Sequence, residues 1–273
     1  MLRKSKFLRT SQIIVFALFA IGCERETQNA VPTQTDAITP EYSVANETMP
    51  EEFAQEVVPG ETEVSLTLIK TSPSANRTVY VDRYVTGLTF ASTPLIGIEG
   101  LEQLEFLETI VFDRLTNLND ASFLAQVPQL KNLFFSDTAG WEMEWSFIEQ
   151  LPNLEVLHVD GSRSSNISID LRNNRRLEFI GFMFSRLETF PVLLNVPDTL
   201  IYLSLEGNRI VALPDDFDTI PSTTTVILSF NPFEITEATP SNVTTEDFVI
   251  LVTEERFREP EYISAVILGA WLP

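Results

Sequence analysis

"TLIYLSLEGNRIVALPDDF", residues 199–217, places its large apolar residues at Leu200, Leu203, Leu205, Ile210 and Leu213 and holds one asparagine, Asn208. The Leu203-Ser204-Leu205 alternation is that of a short strand with one buried face. With Asn208 as a fixed mark, apolar residues stand eight, five and three positions before it. The same frame recurs at Thr93, Leu115, Thr138, Ser162, Ser185 and Asn231, in steps of 22 to 24 residues.

The first slot reads Val85, Leu107, Leu130, Leu154, Leu177, Leu200 and Thr223. The second reads Leu88, Ile110, Leu133, Leu157, Ile180, Leu203 and Val226, and the third Phe90, Phe112, Phe135, Val159, Phe182, Leu205 and Leu228. Only Thr223 is not apolar, where a 44% apolar composition predicts about nine matches in 21 slots, so the period is a property of the chain. A parallel strand pair needs a crossover of a dozen or more residues, and a period near 23 supplies it. The return segments carry their own apolar residues, among them Phe123, Leu124 and Val127, Phe147, Ile148 and Leu151, and Phe217 and Ile220. Several close on an apolar residue followed by proline: Val127-Pro128, Leu151-Pro152, Val196-Pro197 and Ile220-Pro221. Proline there stops a helical turn and extends the chain into the next strand.

Over residues 85–233 this frame resembles the leucine-rich repeat, L-x-x-L-x-L-x-x-N-x-L. The resemblance implies an α/β leucine-rich repeat solenoid of about seven copies: a curved parallel sheet on the concave face, and short helical, 3-10 or extended return segments. It also implies that the marking Asn bonds backbone groups in the turn after each strand. Ser and Thr can replace part of that bonding, whereas Leu115 cannot, which predicts a less regular turn in its copy. No single copy buries its own face, so both ends need caps. The domains are then a repeat region over 85–240, an amino-terminal cap over 61–84 in which Leu66 and Leu68 could begin an eighth degenerate copy, and a carboxyl-terminal helical cap over 241–273. In that last segment Thr244 is a helix N-cap candidate, and "ISAVILGAWLP" is expected on the last repeat.

The amino terminus has a different logic. Arg3, Lys4, Lys6 and Arg9 precede a nine-residue apolar run from Ile13 to Ile21, too short to span a bilayer as a helix. The run leads to Ala20-Ile21-Gly22-Cys23, and Cys23 is the only cysteine in the chain. This resembles a lipoprotein lipobox, which implies removal of residues 1–22 as a signal peptide and acylation of Cys23 with chains such as palmitate. The alternative is an ordinary secretory signal. Glu24 in place of Asp implies, by the same resemblance, the outer membrane of the bacterial cell envelope. Residues 23–60 hold four prolines, many Thr and Glu and few large apolar residues, the composition of a disordered acidic tether.

The net charge of −21, from 39 acidic and 18 basic residues, opposes a nucleic-acid role. The sole histidine, His158, has Asp160 two residues on, and a His–Asp pair can do acid–base work. No nucleophilic cysteine, metal-ligand cluster or glycine-rich phosphate loop accompanies it, so the chain reads as no enzyme and no cofactor carrier. A hydrolase using His158 is the minor alternative.

The slots between the frame residues are more informative. They gather Phe134, Val156, His158, Asp160, Phe179, Met183, Phe184, Tyr202 and Glu206 on the face expected to be concave. Aromatics open to solvent and edged by acids suit a protein partner. The expectation is a monomeric, non-enzymatic envelope lipoprotein that binds a protein partner there. The alternative is a structural or assembly role inside the envelope.

Overall fold

The computed structural model describes residues 62–246, apart from 73–74, 93, 116, 138–142 and 163–166, together with the backbone of a strand at 265–268. The signal peptide, Cys23, the tether and most of the expected carboxyl-terminal helix lie outside the described residues.

The fold is rich in strands. In chain order they are β1 (Glu63–Lys70), β2 (Arg77–Asp82), β3 (Gly87–Ala91), β4 (Leu95–Glu99), β5 (Thr109–Asp113), β6 (Asn132–Ser136) and β7 (Val156–Asp160). Then follow β8 (Ser168–Asp170), β9 (Phe179–Met183), β10 (Val192–Leu194), β11 (Tyr202–Ser204), β12 (Thr225–Ile227), β13 (Val243–Thr244) and β14 (Ala265–Leu268). One nine-stranded sheet, in the order β13-β12-β11-β9-β7-β6-β5-β3-β14, carries the repeat. All its pairings are parallel. Each copy of the frame supplies one strand. The register reproduces the sequence period: Gly87 pairs with Thr109, Thr109 with Asn132, Asn132 with Val156, Val156 with Phe179, Phe179 with Tyr202 and Tyr202 with Thr225.

The second and third slots of every copy point into one continuous core. Its centre is a stack of rings from successive strands, with Phe90 and Phe112 5.6 Å apart and Phe112 and Phe135 5.2 Å apart. Trp145, from a return segment, meets Phe182 edge-on at 5.4 Å. Such pairs add to the area they bury. The first slot is filled through Leu200 and fails at Thr223, which is exposed; the next residue, Thr224, is buried instead and donates its hydroxyl to the Leu200 carbonyl at 2.8 Å.

The return segments cross behind this core. Short 3-10 helices occupy Leu101–Gln103, Ser122–Gln126, Trp145–Gln150 and Phe217–Thr219, and β4, β8 and β10 are extended. Three of these helices are capped at Val127, Leu151 and Ile220, directly before Pro128, Pro152 and Pro221. A proline removes the next donor and excludes a further turn, as the sequence predicts.

Two end-of-chain expectations are corrected. Leu66 and Leu68 do not begin an eighth parallel copy: β1 pairs antiparallel with β2 and with β4, in a separate three-stranded sheet. Its alternating Val64, Leu66 and Leu68 close the core on the return side. The carboxyl-terminal stretch does not sit on the last repeat either. β14 pairs with β3, the strand of the first copy, and so forms the opposite edge of the sheet. That edge has unsatisfied backbone donors and acceptors that any extended segment can complete.

Candidate functional site

The outward face of the sheet and the corners at the strand ends hold the residues expected to meet a partner. The corners follow one rule. The residue just before each mark is left-handed: Ser92, Arg114, Asp137, Gly161, Phe184, Gly207 and Phe230, with φ between 48° and 71°. These positions are not strand slots, as the sequence suggests, but turns that end the strand. The left-handed geometry aims the backbone N–H of the first six at the neighbouring copy, beginning with Ser92 to the Asp113 carbonyl at 2.9 Å. Arg114 donates to the Ser136 carbonyl at 2.8 Å, Asp137 to Asp160 at 3.1 Å, Gly161 to Met183 at 3.0 Å, Phe184 to Glu206 at 2.9 Å and Gly207 to Ser229 at 2.9 Å. A second ladder thus continues beyond the strands. It satisfies donors that the turn would otherwise strand in the interior.

The marking residues lock these corners. The Asn208 side chain is buried; its Oδ1 accepts from the N–H groups of Ser185 and Leu187, each at 3.0 Å. Its Nδ2 donates to the carbonyls of Phe182 at 2.6 Å and Leu205 at 2.7 Å. Asn231 repeats part of this, accepting from Ile210 N–H at 2.9 Å and donating to Leu205 at 2.8 Å. Ser185 keeps one such bond, Oγ to the Met183 carbonyl at 3.0 Å. Leu115 makes none. It turns inward and is fully buried, yet Arg114 before it keeps the same left-handed corner and ladder bond, so its turn is regular at that position.

The outward face is where the structure departs most from the sequence expectation. Phe134, Val156, Phe179 and Met183 are not open to solvent: with Val111 and Ile227 they form a second apolar cluster, separate from the main core, and Tyr202 packs against it. Phe134 and Met183 retain no exposure at all. The slots are outward with respect to the main core, but outward does not by itself mean exposed. Glu206 is buried too, its carboxylate accepting from Ser229 Oγ at 3.0 Å. Of the nine expected contact residues, Phe184 is exposed at 44%, and Asp160 and Tyr202 are half-buried.

His158 sits inside that cluster at 2% exposure. Its ring stacks on Phe179 and tilts against Phe134, each centroid 6.0 Å away. Gly181 makes the room: a Cβ there would lie 2.8 Å from the Phe179 ring and 3.0 Å from His158 Nδ1. Burial pushes the imidazole down to about 4, so it is neutral at neutral pH. Burial, with the charges of Asp137 and Glu206, pushes the Asp160 carboxyl up to about 6 against the opposing hydrogen bond from Gly161 N–H. Burial thus drives both groups toward their neutral forms. At the other ends of the strands, burial and the neighbouring Glu155 raise Glu178 to about 7. Among the described residues no group of three or more carboxylate, imidazole or thiol side chains is placed to hold a metal ion.

Sequence reasoning passed over two features of the corners. Phe230, 68% exposed, is left-handed like Phe184, and Gly207 between them is a socket: a Cβ there would lie 2.2 Å from Phe184 Cδ1. The signal was present in the row Gly161, Phe184, Gly207, Phe230, where two glycines at one slot mark a left-handed backbone. No protein-family model matches the chain, and none of the curated proteins is significantly similar to it.

Proposed function

We propose that this protein is a non-enzymatic, protein-binding lipoprotein of the bacterial cell envelope, built on a leucine-rich repeat solenoid. The 23-residue step, one strand per step, and the Asn208 and Asn231 bonds across successive corners support the repeat reading. In the same proposal Cys23 carries the lipid, the acidic tether carries the domain away from the outer membrane, and the protein acts as a monomer.

The observation that carries a binding role is the pair Phe184 and Phe230. Both are bulky and both are solvent-facing. Exposed aromatic rings at two corners of one rim are the kind of side chain that a protein partner buries. The partner is therefore read at the strand-end rim, by Phe184 and Phe230, with Asp160 and Asp137 giving a negative border. The buried Phe134, Val156, His158, Phe179 and Met183 shape that rim from below. His158 does no chemistry in this reading.

The test is crosslinking and capture of the intact protein from its own cells, compared with the Phe184→Ala/Phe230→Ala double variant. A partner captured by the native chain and lost by the folded double variant is the expected result. Equal capture by both removes the rim from the proposal. Metabolic labelling with palmitate, expected for the native chain and absent in Cys23→Ser, tests the anchor separately.

A further inference from the structure

Directly before β5, β6, β7, β9 and β11 stand Glu108, Lys131, Glu155, Glu178 and Ile201, one residue from each of the second to sixth copies. Backbone bonds set them side by side. Lys131 N–H donates to the Glu108 carbonyl at 2.9 Å, Glu155 to Lys131 at 2.7 Å, Glu178 to Glu155 at 2.9 Å and Ile201 to Glu178 at 2.9 Å. The same slot on parallel strands about 4.8 Å apart brings successive side chains within reach of one another. The row thus holds one cation among three carboxylates, at the strand ends opposite the Phe184 and Phe230 rim.

That cation is committed at one end of the row. Lys131 Nζ lies 2.5 Å from Glu108 Oε1. Glu155, half-buried, feels the charges of Lys131 and Arg176 against that of Glu108, and burial still raises its carboxyl. Glu178, also half-buried, has Glu155 on one side and the apolar Ile201 on the other. Arg175 and Asp198, three residues earlier in the fifth and sixth copies, are exposed. Glu178 Oε2 is buried and has no hydrogen-bond partner among the described residues. A buried carboxylate oxygen facing a second carboxylate is costly in the charged form.

We propose that Glu155 and Glu178 share one proton, carried on Glu178 Oε2 and donated to the Glu155 carboxylate, so that a carboxyl–carboxylate bond clasps the fourth and fifth copies and opens when the proton leaves. The proton comes from solvent and returns to it, and no other group changes. It converts the unpartnered acceptor into a donor and removes a like-charge contact between adjacent strands. A hydrogen bond from a carboxyl to a carboxylate is of the strong, charge-assisted kind. Burial and the Glu155 charge, which raise Glu178 to about 7, act in the same direction. The clasp is a pH-sensitive joint within the repeat and does not depend on a partner. Because the folded value lies above the ordinary 4.5, its stabilisation is fully present below 4.5 and is lost as pH rises through about 7.

A carbon-13 NMR titration of the glutamate carboxyls in the full chain tests this, with Glu155→Gln and Glu178→Gln assigning the two signals. The Glu178 carbon should titrate near pH 7, and the Glu155 carbon should show a step at the same pH, because coupled groups report each other's protonation. In Glu155→Gln the Glu178 midpoint should fall by about one pH unit. A Glu178 carbon that titrates near 4.5, or a midpoint unmoved by Glu155→Gln, overturns the proposal. Denaturant titrations give a second reading, since the Glu178→Gln amide keeps a donor at every pH. Between pH 5 and pH 7.5 the unfolding constant of the native chain should rise roughly tenfold more than that of Glu178→Gln. An equal rise in the two also overturns it.

Discussion

The corner of the sixth copy, Gly207-Asn208, and that of the fifth, Phe184-Ser185, share one backbone turn and solve it with different residues. Gly207 takes the left-handed geometry without strain and leaves space, which the Phe184 ring occupies. Asn208 reaches back to hold the N–H groups of Ser185 and Leu187, which the fifth copy cannot satisfy itself. The regular corner thus supports the irregular one beside it. The same pairing of types runs along the rim. The glycine corners, Gly161 and Gly207, follow the acids Asp160 and Glu206, and the phenylalanine corners, Phe184 and Phe230, follow Met183 and Ser229. A repeat can therefore vary its exposed chemistry copy by copy, provided some copies keep the residues that stabilise the turn.

The largest expected effect breaks this support directly. Asn208→Ala takes the side-chain acceptor from the N–H groups of Ser185 and Leu187 and a donor from the Phe182 carbonyl, while the Leu205 carbonyl keeps Asn231, and it should cost about 3 kcal/mol in a urea unfolding titration. Ser185→Ala, which removes a single bond, should cost about 1 kcal/mol. An equal cost for the two would show that the corners do not depend on one another. Next in size, Gly207→Ala should cost about 2 kcal/mol, part from left-handed strain and part from the displaced Phe184 ring. In a Phe184→Ala background only the strain remains, so a double-mutant cycle should show coupling of about 1 kcal/mol.

The acids before the glycine corners give a pH signature. The Asp160 carboxyl is raised in the folded chain above its unfolded value, so the folded state binds the proton more readily. Its contribution to stability is fully present at low pH and is lost as pH rises through about 6. His158 is lowered to about 4, which has the opposite sign: stability falls as pH drops from the unfolded value of 6.5 toward 4. Glu178, raised to about 7, adds a loss of the same sign as Asp160 as pH rises. Measured against the native profile in unfolding titrations from pH 4 to pH 8, Asp160→Asn should lose more stability between pH 6 and pH 4, and His158→Phe should lose less. The smallest effect separates the two phenylalanine corners. Phe230→Gly relieves strain at a ring that is mostly exposed and should stabilise by about 0.5 kcal/mol. Phe184→Gly also loses the ring's packing on Gly207 and should not stabilise.

The frame was legible because its period is long, regular and written in large apolar residues. Leu88 to Phe90 and Leu203 to Leu205 alternate as strands must, and the 22- to 24-residue steps became the strand register without adjustment. The proline that follows three of the four 3-10 turns was equally local. The ends were less legible. Leu66 and Leu68 have a strand alternation, but alternation is the same in parallel and antiparallel pairing, and only the partner decides. Burial of Phe134, Phe179 and Met183 could not be read either, since a slot that faces away from its own repeat is identical in sequence whether solvent or another segment lies above it.

The sequence by itself determined the repeat, the strand positions, the inward core and the asparagines that tie the turns, because each depends on neighbours within one period. Tertiary structure alone decided which edge β14 completes, that His158 is packed between two rings, and that the rim at Phe184 and Phe230 is the part left to solvent. The physical reason is range. Periodicity fixes which side of a strand a residue takes, whereas burial of that side depends on chain that is distant in sequence and arrives only when the whole sheet is assembled.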